Sequence, residues 1–172
     1  MSDPASTVEA GTIEEDGIGD QHNAFVSHRH EDDALVGRLK DLLERHGCDV
    51  RDSSVTSATP NQARSEDYIK SILADRIRWA GKIVVIVSPQ TKDHEWVDWE
   101  IEYAQRFPDK RIIGVWAPDA DCCDLPEALE RHADAVVEWD ADAVIAALDG
   151  EDNWHAPDGS PVPPRAVNRI GC

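Results

Sequence analysis

Short apolar runs alternate with amphipathic stretches between Asn23 and Leu148, a rhythm that predicts strands and helices in turn. Ala24-Phe25-Val26 reads as a first strand, followed by a helix with Leu35, Leu39, Leu42 and Leu43 inward and Gly47 as its stop. A weaker strand is expected near Cys48 to Arg51. After the loop DSSVTSATPNQAR, a second helix is capped by Ser65, carries Ile69, Ile72, Leu73 and Ile77 on one face, and ends at Gly81. Lys82 to Val87 is a β-branched run without alternation, as expected of a central parallel strand covered on both faces. A helix around Glu100, a strand Arg111 to Trp116, a short helix near Pro126 to Arg131, a strand Ala135 to Trp139 and a last helix Asp140 to Leu148 complete the series. Such a series is an α/β fold: an open, mostly parallel five-stranded sheet with helices on both faces, joined by right-handed crossovers. Ligands of these folds bind at the carboxyl ends of strands beside the topological switch point. That edge is expected to carry Ser27 and His28, Asp52 and Ser53, Ser88, and Glu100 slightly beyond.

The helix containing Glu100 reads EWVDWEIEYA. With Val97 at zero and about 100° per residue, Ile101, Ala104, Trp96, Tyr103 and Phe107 share one apolar arc, while Glu95, Asp98 and Glu102 fall on the opposite, solvated side. Glu100 lies inside the apolar arc, one turn after Trp96 and three residues before Tyr103. A carboxylate among rings is costly to desolvate unless something pairs with it. Two readings stay open: an acid at the edge of a cleft with a chemical task, or a glutamate that bends outward or bonds a nearby backbone amide.

The length of 172 residues suits one domain with tails. The expected division is an acidic N-terminal segment over residues 1–21, a domain over 22–150 and a C-terminal tail over 151–172. Against 35 Asp and Glu stand 17 Lys and Arg, a net charge of −18, which repels nucleic acid phosphates and anionic membranes. Neither nucleic acid nor membrane is therefore expected as a partner. The N-terminal stretch carries six acids and no base through Asp20, unlike a secretory leader. Cys122 and Cys123 are adjacent, Cys48 is isolated and Cys172 is last, a pattern of neither a disulfide framework nor a metal site. A cytoplasmic protein is expected. The run DADCCD, Asp119 to Asp124, reads as an acidic surface loop.

No Walker loop or GxGxxG follows a strand, since GIG at Gly17 to Gly19 precedes the first one. Ser88 sits in VSP rather than a nucleophile elbow and reads as a strand-end turn residue. HRHEDD, His28 to Asp33, matches no metal spacing, and no metal is expected; Asp32 reads as a helix start. A receiver domain would need acids at strand ends occupied here by Ser27-His28 and Ser88. One carboxylate with serines and rings suits a reaction that develops positive charge on a sugar. Nicotinamide is already a cationic leaving group, so a single carboxylate can suffice.

Together, NAFVSHRHEDD, ERHGCDVRD, KIVVIVSP and EWVDWEIEYA resemble the prokaryotic TIR-like family of Thoeris antiphage defence, which includes ThsB, over about Asn23 to Asp149. SEDYIKSILADRIRW and RIIGVW are similar to that subfamily as well. The resemblance implies a TIR/flavodoxin-like sandwich and makes Glu100, in Trp96-x-x-x-Glu100, the catalytic glutamate of NAD cleavage. It also implies that Ser27 and His28 line the nicotinamide or ribose pocket, that Trp96 and Tyr103 shape the cleft, and that the loop after Asp52, beginning with Ser53, is the BB loop. No cofactor is implied, because NAD is the substrate. The product is ADP-ribose or, as the expected outcome, a cyclic ADP-ribose-type signal that reaches a separate effector protein by diffusion; self-association is a further implied property. The sequence departs from the family at His94-Glu95-Trp96, where many members have a serine before the tryptophan, and in Ser53 to Gln62, which lacks a Pro-Gly pair.

Two rival functions remain open at this level, a non-catalytic adaptor and a nucleoside base-transferring enzyme. The basic side has only five Lys, and acids are spread over nearly every segment, a pattern of proteins adapted to high salt, where screening weakens self-repulsion. The expected outcome is a melting temperature that rises between low and molar salt; a flat or falling curve counts against salt adaptation.

Overall fold

Valine and isoleucine are stiff at the first side-chain torsion and suit a pleated surface covered on both sides. In the computed structural model, which describes residues 20–52, 65–120 and 125–164, they build β3 (Lys82–Val87), buried from Ile83 onward. β1 (Asp20–Ser27) and β4 (Arg111–Trp116) flank it, with β2 (Cys48–Asp52) outside β1 and β5 (Ala135–Val137) outside β4. All pairings are parallel and the order is β2-β1-β3-β4-β5. The expected α/β architecture is the one observed.

α1 (Asp33–Glu44) leads from β1 to β2; α2 (Glu66–Trp79), α3 (Glu95–Ala104) and α4 (Glu127–His132) follow β2, β3 and β4; α5 (Ala141–Leu148) follows β5. Right-handed crossovers put α1 on one face of the sheet and α2, α3 and α4 on the other, α5 joins α1 by packing on it, and the packing of α2 on α3 and α3 on α4 agrees. α1 buries Val36, Leu39 and Leu43, leaving Leu35 and Leu42 half-buried. Its stop is Gly47, at a φ of 81° that side chains rarely adopt. Ser65 caps α2 by accepting from the Tyr68 N–H at 3.2 Å. Gly81 does not end that helix; Ala80 leaves it in extended conformation, and Gly81 N already donates to Asn23 O in the sheet.

Two stretches extend further than the apolar runs indicate. β1 begins at Asp20, where only His22 is buried between exposed Gln21 and Asn23, so pairing with β2 is carried by backbone rather than by apolar side chains. In the segment after α5, Trp154 lies beside Val136 in a parallel bridge and is buried, Val136 N donates to Asn153 O, and His155 N donates to Val136 O. The Trp116 indole N–H donates to His155 O at 2.8 Å. Among the described residues no helix is long and apolar enough to cross a membrane. The loop from Ser53 to Arg64, and Cys122, Cys123 and Cys172, lie outside the described residues.

α4 approaches β4 at Gly114, where a Cβ would sit 2.8 Å from Leu129 Cδ2 and 3.3 Å from Val136 Cγ2. Gly114→Ala is therefore expected to cost about 1–3 kcal/mol through overpacking. The check is a lower urea midpoint with an unchanged slope.

Candidate active site

In this strand order the chain leaves β1 toward β2 on one side and later continues through β3, β4 and β5 on the other, so the switch point lies between β1 and β3. β1 ends there at Ser27, and β3 ends at Val87, directly before Ser88. α3 carries Glu100 in its second turn. The Ser27 hydroxyl, itself 1% exposed, donates to Glu100 Oε2, and Glu100 is only 7% exposed. Topology and helix phase thus bring together two groups 73 residues apart in sequence.

Burial is the main influence on this carboxyl and raises its pKa to about 8, against the opposing pull of the Ser27 hydrogen bond. Among the described residues no cationic side chain forms an ion pair with it. A carboxyl in that position keeps its proton at neutral pH, because ionisation would leave an unpaired charge out of water. The sequence reading treats Glu100 as a carboxylate; its burial favours the protonated form instead.

The other predicted residues are placed differently from one another. His28 turns into its own loop: Nδ1 lies 2.8 Å from Val26 O and Nε2 2.7 Å from Asp33 Oδ1. Asp52 accepts from Val26 N at 3.2 Å, extending the contact of β2 with β1 past the last register pair, Ala24 with Asp52. Ser53 lies outside the described residues. Trp96 and Tyr103 are half-buried members of a ring series on α3 whose hub is Trp99, 6.3 Å from Trp96 and stacked 5.3 Å from Tyr103. Phe107 continues it beyond the helix, and Lys70 of α2 lies over Trp96 and Trp99 at 6.0 and 5.7 Å. The wheel does not single out Trp99. On the opposite side, Asp98 is not solvated as expected: burial first, then Glu102 and Glu127, push its carboxyl up, with Arg131 opposing.

A hydrogen-bonded group that the sequence does not reveal crosses the same edge. The Asp32 side chain makes no cap bond to α1. Its Oδ2 accepts from Ser88 Oγ at 2.7 Å and from Arg29 Nε at 3.1 Å, and Arg29 donates onward to Gln90 Oε1 at 2.5 Å. Thr91, fully buried, accepts from Ser88 N at 2.8 Å and donates its own N–H to Ser88 O. Ser88 is thus a turn residue, as its setting in VSP suggested. The S-x-x-T spacing of Ser88 and Thr91 was the available signal for the turn, whereas nothing in the sequence marks the bond from Asp32.

A family model described as "Thoeris protein ThsB, TIR-like domain" matches residues 25–121. The chain belongs to that family. The matched range takes in Ser27, Asp32, Ser88 and Glu100, so the whole hydrogen-bonded edge lies inside the ThsB TIR-like domain. No curated protein matches the chain. Solved structures similar to this ThsB-like domain include the TIR domains of the activated Roq1 resistosome that directly recognises the pathogen effector XopQ, at 21% identity and a TM-score of 0.40 over 56% of this chain and 60% of that one. This chain therefore spans less than two thirds of that structure's length. Another is the Clostridium botulinum CMP N-glycosidase BcmB, at 18% identity and a TM-score of 0.44 over 74% of this chain and 98% of that one.

The raised pKa of Glu100 is also a statement about stability. The native ThsB-like domain holds this proton more tightly than the unfolded chain, so the stabilisation is complete below about pH 4.5 and is lost as pH rises through about 8. Glu100→Gln has no such proton. Urea midpoints of wild type and variant are expected to diverge in favour of the variant as pH is raised across that window, and a pH-independent difference would contradict the burial of a neutral Glu100.

Proposed function

We propose that this ThsB-like domain cleaves the nicotinamide–ribose bond of NAD. The observation that carries the reading is the buried Glu100 carboxyl beside Ser27, at the switch-point edge and without a cationic partner among the described residues. Such a group lacks only a positive charge, and oxidised NAD brings one on its pyridinium ring.

A cation seated against Glu100 favours the ionised carboxyl, so the proton leaves for solvent as substrate settles. The Ser27 hydroxyl keeps donating to the carboxylate and fixes its direction. The bond between ribose C1′ and the pyridinium nitrogen then breaks with both electrons going to nitrogen, and nicotinamide departs neutral, needing no acid. Positive charge passes to the sugar, where Glu100 stabilises it through space; a fixed, poorly hydrated charge is effective in this role. Capture by water gives ADP-ribose and a proton. Capture by a nucleophilic atom of the same ADP-ribose closes a ring, and exclusion of water favours that outcome. A cyclic product would act as a diffusible signal to an effector protein in antiphage defence, in keeping with the Thoeris family.

Purified protein incubated with NAD is expected to release nicotinamide, with Glu100→Gln reduced on the order of 100-fold or more. Since the free enzyme must lose a proton from Glu100, kcat/KM is expected to climb with pH and level off above about 8. Equal release by wild type and Glu100→Gln at high and low salt removes Glu100 from the chemistry. Release from nucleosides but not from NAD replaces the substrate.

A further inference from the structure

Glu100 and Ser27 sit on different elements, so their contact depends on how α3 is held over the end of β1. The sheet fixes β1 against β3 by pairing Ala24 to Ser27 with Lys82 to Val85. α3, which starts at Glu95 after the turn Ser88 to His94, lies outside that pairing and is seated by the packing of Val97, Ile101 and Ala104, which fixes its depth more firmly than its register along the axis. A slide or tilt of the helix relative to that turn would part the two side chains. The bonds of Asp32 oppose such motion. Its carboxylate holds Ser88 at the root of the turn and Arg29 in the loop after β1, while Arg29 reaches Gln90 and Thr91 closes the turn on Ser88. One carboxylate therefore joins the loop beginning beside Ser27 to the turn that launches the helix of Glu100. The arrangement is mostly shielded, with the Asp32 and Arg29 side chains 12% and 14% exposed, so water competes poorly for these bonds.

We propose that Asp32, acting through Ser88 and Arg29, is a positioning residue that holds α3 in the register at which Glu100 meets Ser27. The proposal rests on the reading of Glu100 as the reacting carboxylate, and its test separates the two.

Asp32→Ala removes both of its bonds; Ser88→Ala removes the bond to Asp32 and the 3.0 Å contact with Thr91 Oγ1 but leaves the pair of Asp32 with Arg29, which guards against a variant that merely misfolds. With NAD as the probe, both are expected to lower kcat, Asp32→Ala by on the order of 10-fold or more and Ser88→Ala by less, because small misplacements of a reacting group are expensive. KM is expected to stay within about twofold, since no substrate contact is removed. A second readout needs no substrate: the carbonyl band of the protonated Glu100 side chain in infrared difference spectra, assigned by its loss in Glu100→Gln. Loosening α3 admits water, so the band is expected to disappear at lower pH in Asp32→Ala and Ser88→Ala than in wild type. Full kcat in both variants, a loss confined to KM, or an unshifted titration of the band overturns the positioning role. Absence of nicotinamide release from wild type defeats the NAD reading instead, and the infrared titration then decides the positioning role alone.

Discussion

A carboxyl group held out of water, with no cationic partner among the described residues, is the constraint from which the site follows. Burying the ionised form would be prohibitive and burying the neutral form is tolerable, so the fold accepts Glu100 as an acid and satisfies it with one hydroxyl, that of Ser27. An aliphatic side chain would fit the apolar flank of α3 with less penalty. Retaining a carboxyl there makes the group responsive to charge: a positive ligand changes its ionisation, and a neutral one of the same shape leaves it as it was. Selectivity for a cationic substrate and a proton released on binding are then two descriptions of one equilibrium.

How much of this was legible depended on what each residue does. β3 and β4 were read from Lys82 to Val87 and from Arg111 to Trp116 with their observed bounds, because strands covered on both faces need uninterrupted apolar side chains. The start of β1 escaped because backbone pairing carries it, and backbone groups have no signature in composition; the docking of Trp154 escaped because a lone buried ring has no periodic apolar neighbours to mark it. Glu100 was legible because helical phase is fixed at roughly 100° per residue, and Ser27 because topology puts strand ends together. Asp32 does stand at the start of α1, as read, but without the side-chain cap bond expected there. An aspartate before a helix is usually a cap, and only three-dimensional placement shows the carboxylate turned to Ser88 instead. The neutrality of Glu100 was missed for a similar reason, since a wheel gives direction but not depth.

α3 carries a second displaced carboxyl, Asp98, and the contrast between the two is informative. Asp98 is raised by burial and also by Glu102 and Glu127, with Arg131 pulling the other way. Interactions among partly exposed charges weaken as ions screen them, whereas desolvation of a buried group is nearly indifferent to salt. Burial leads in both cases, but at Asp98 neighbouring charges add to it, whereas at Glu100 only the Ser27 hydrogen bond stands against it. For a chain with a net charge of −18, this separates the surface, which bears the repulsion, from the residue on which the chemistry is proposed to depend.

The strand of chain laid beside β5 has a consequence for association. A sheet of five parallel strands has two rims, and each is a template for backbone pairing by another polypeptide. On the β5 rim, Val136 already spends both its amide and its carbonyl on Asn153 and His155. Pairing by another polypeptide at Val136 is thereby blocked on the β5 rim.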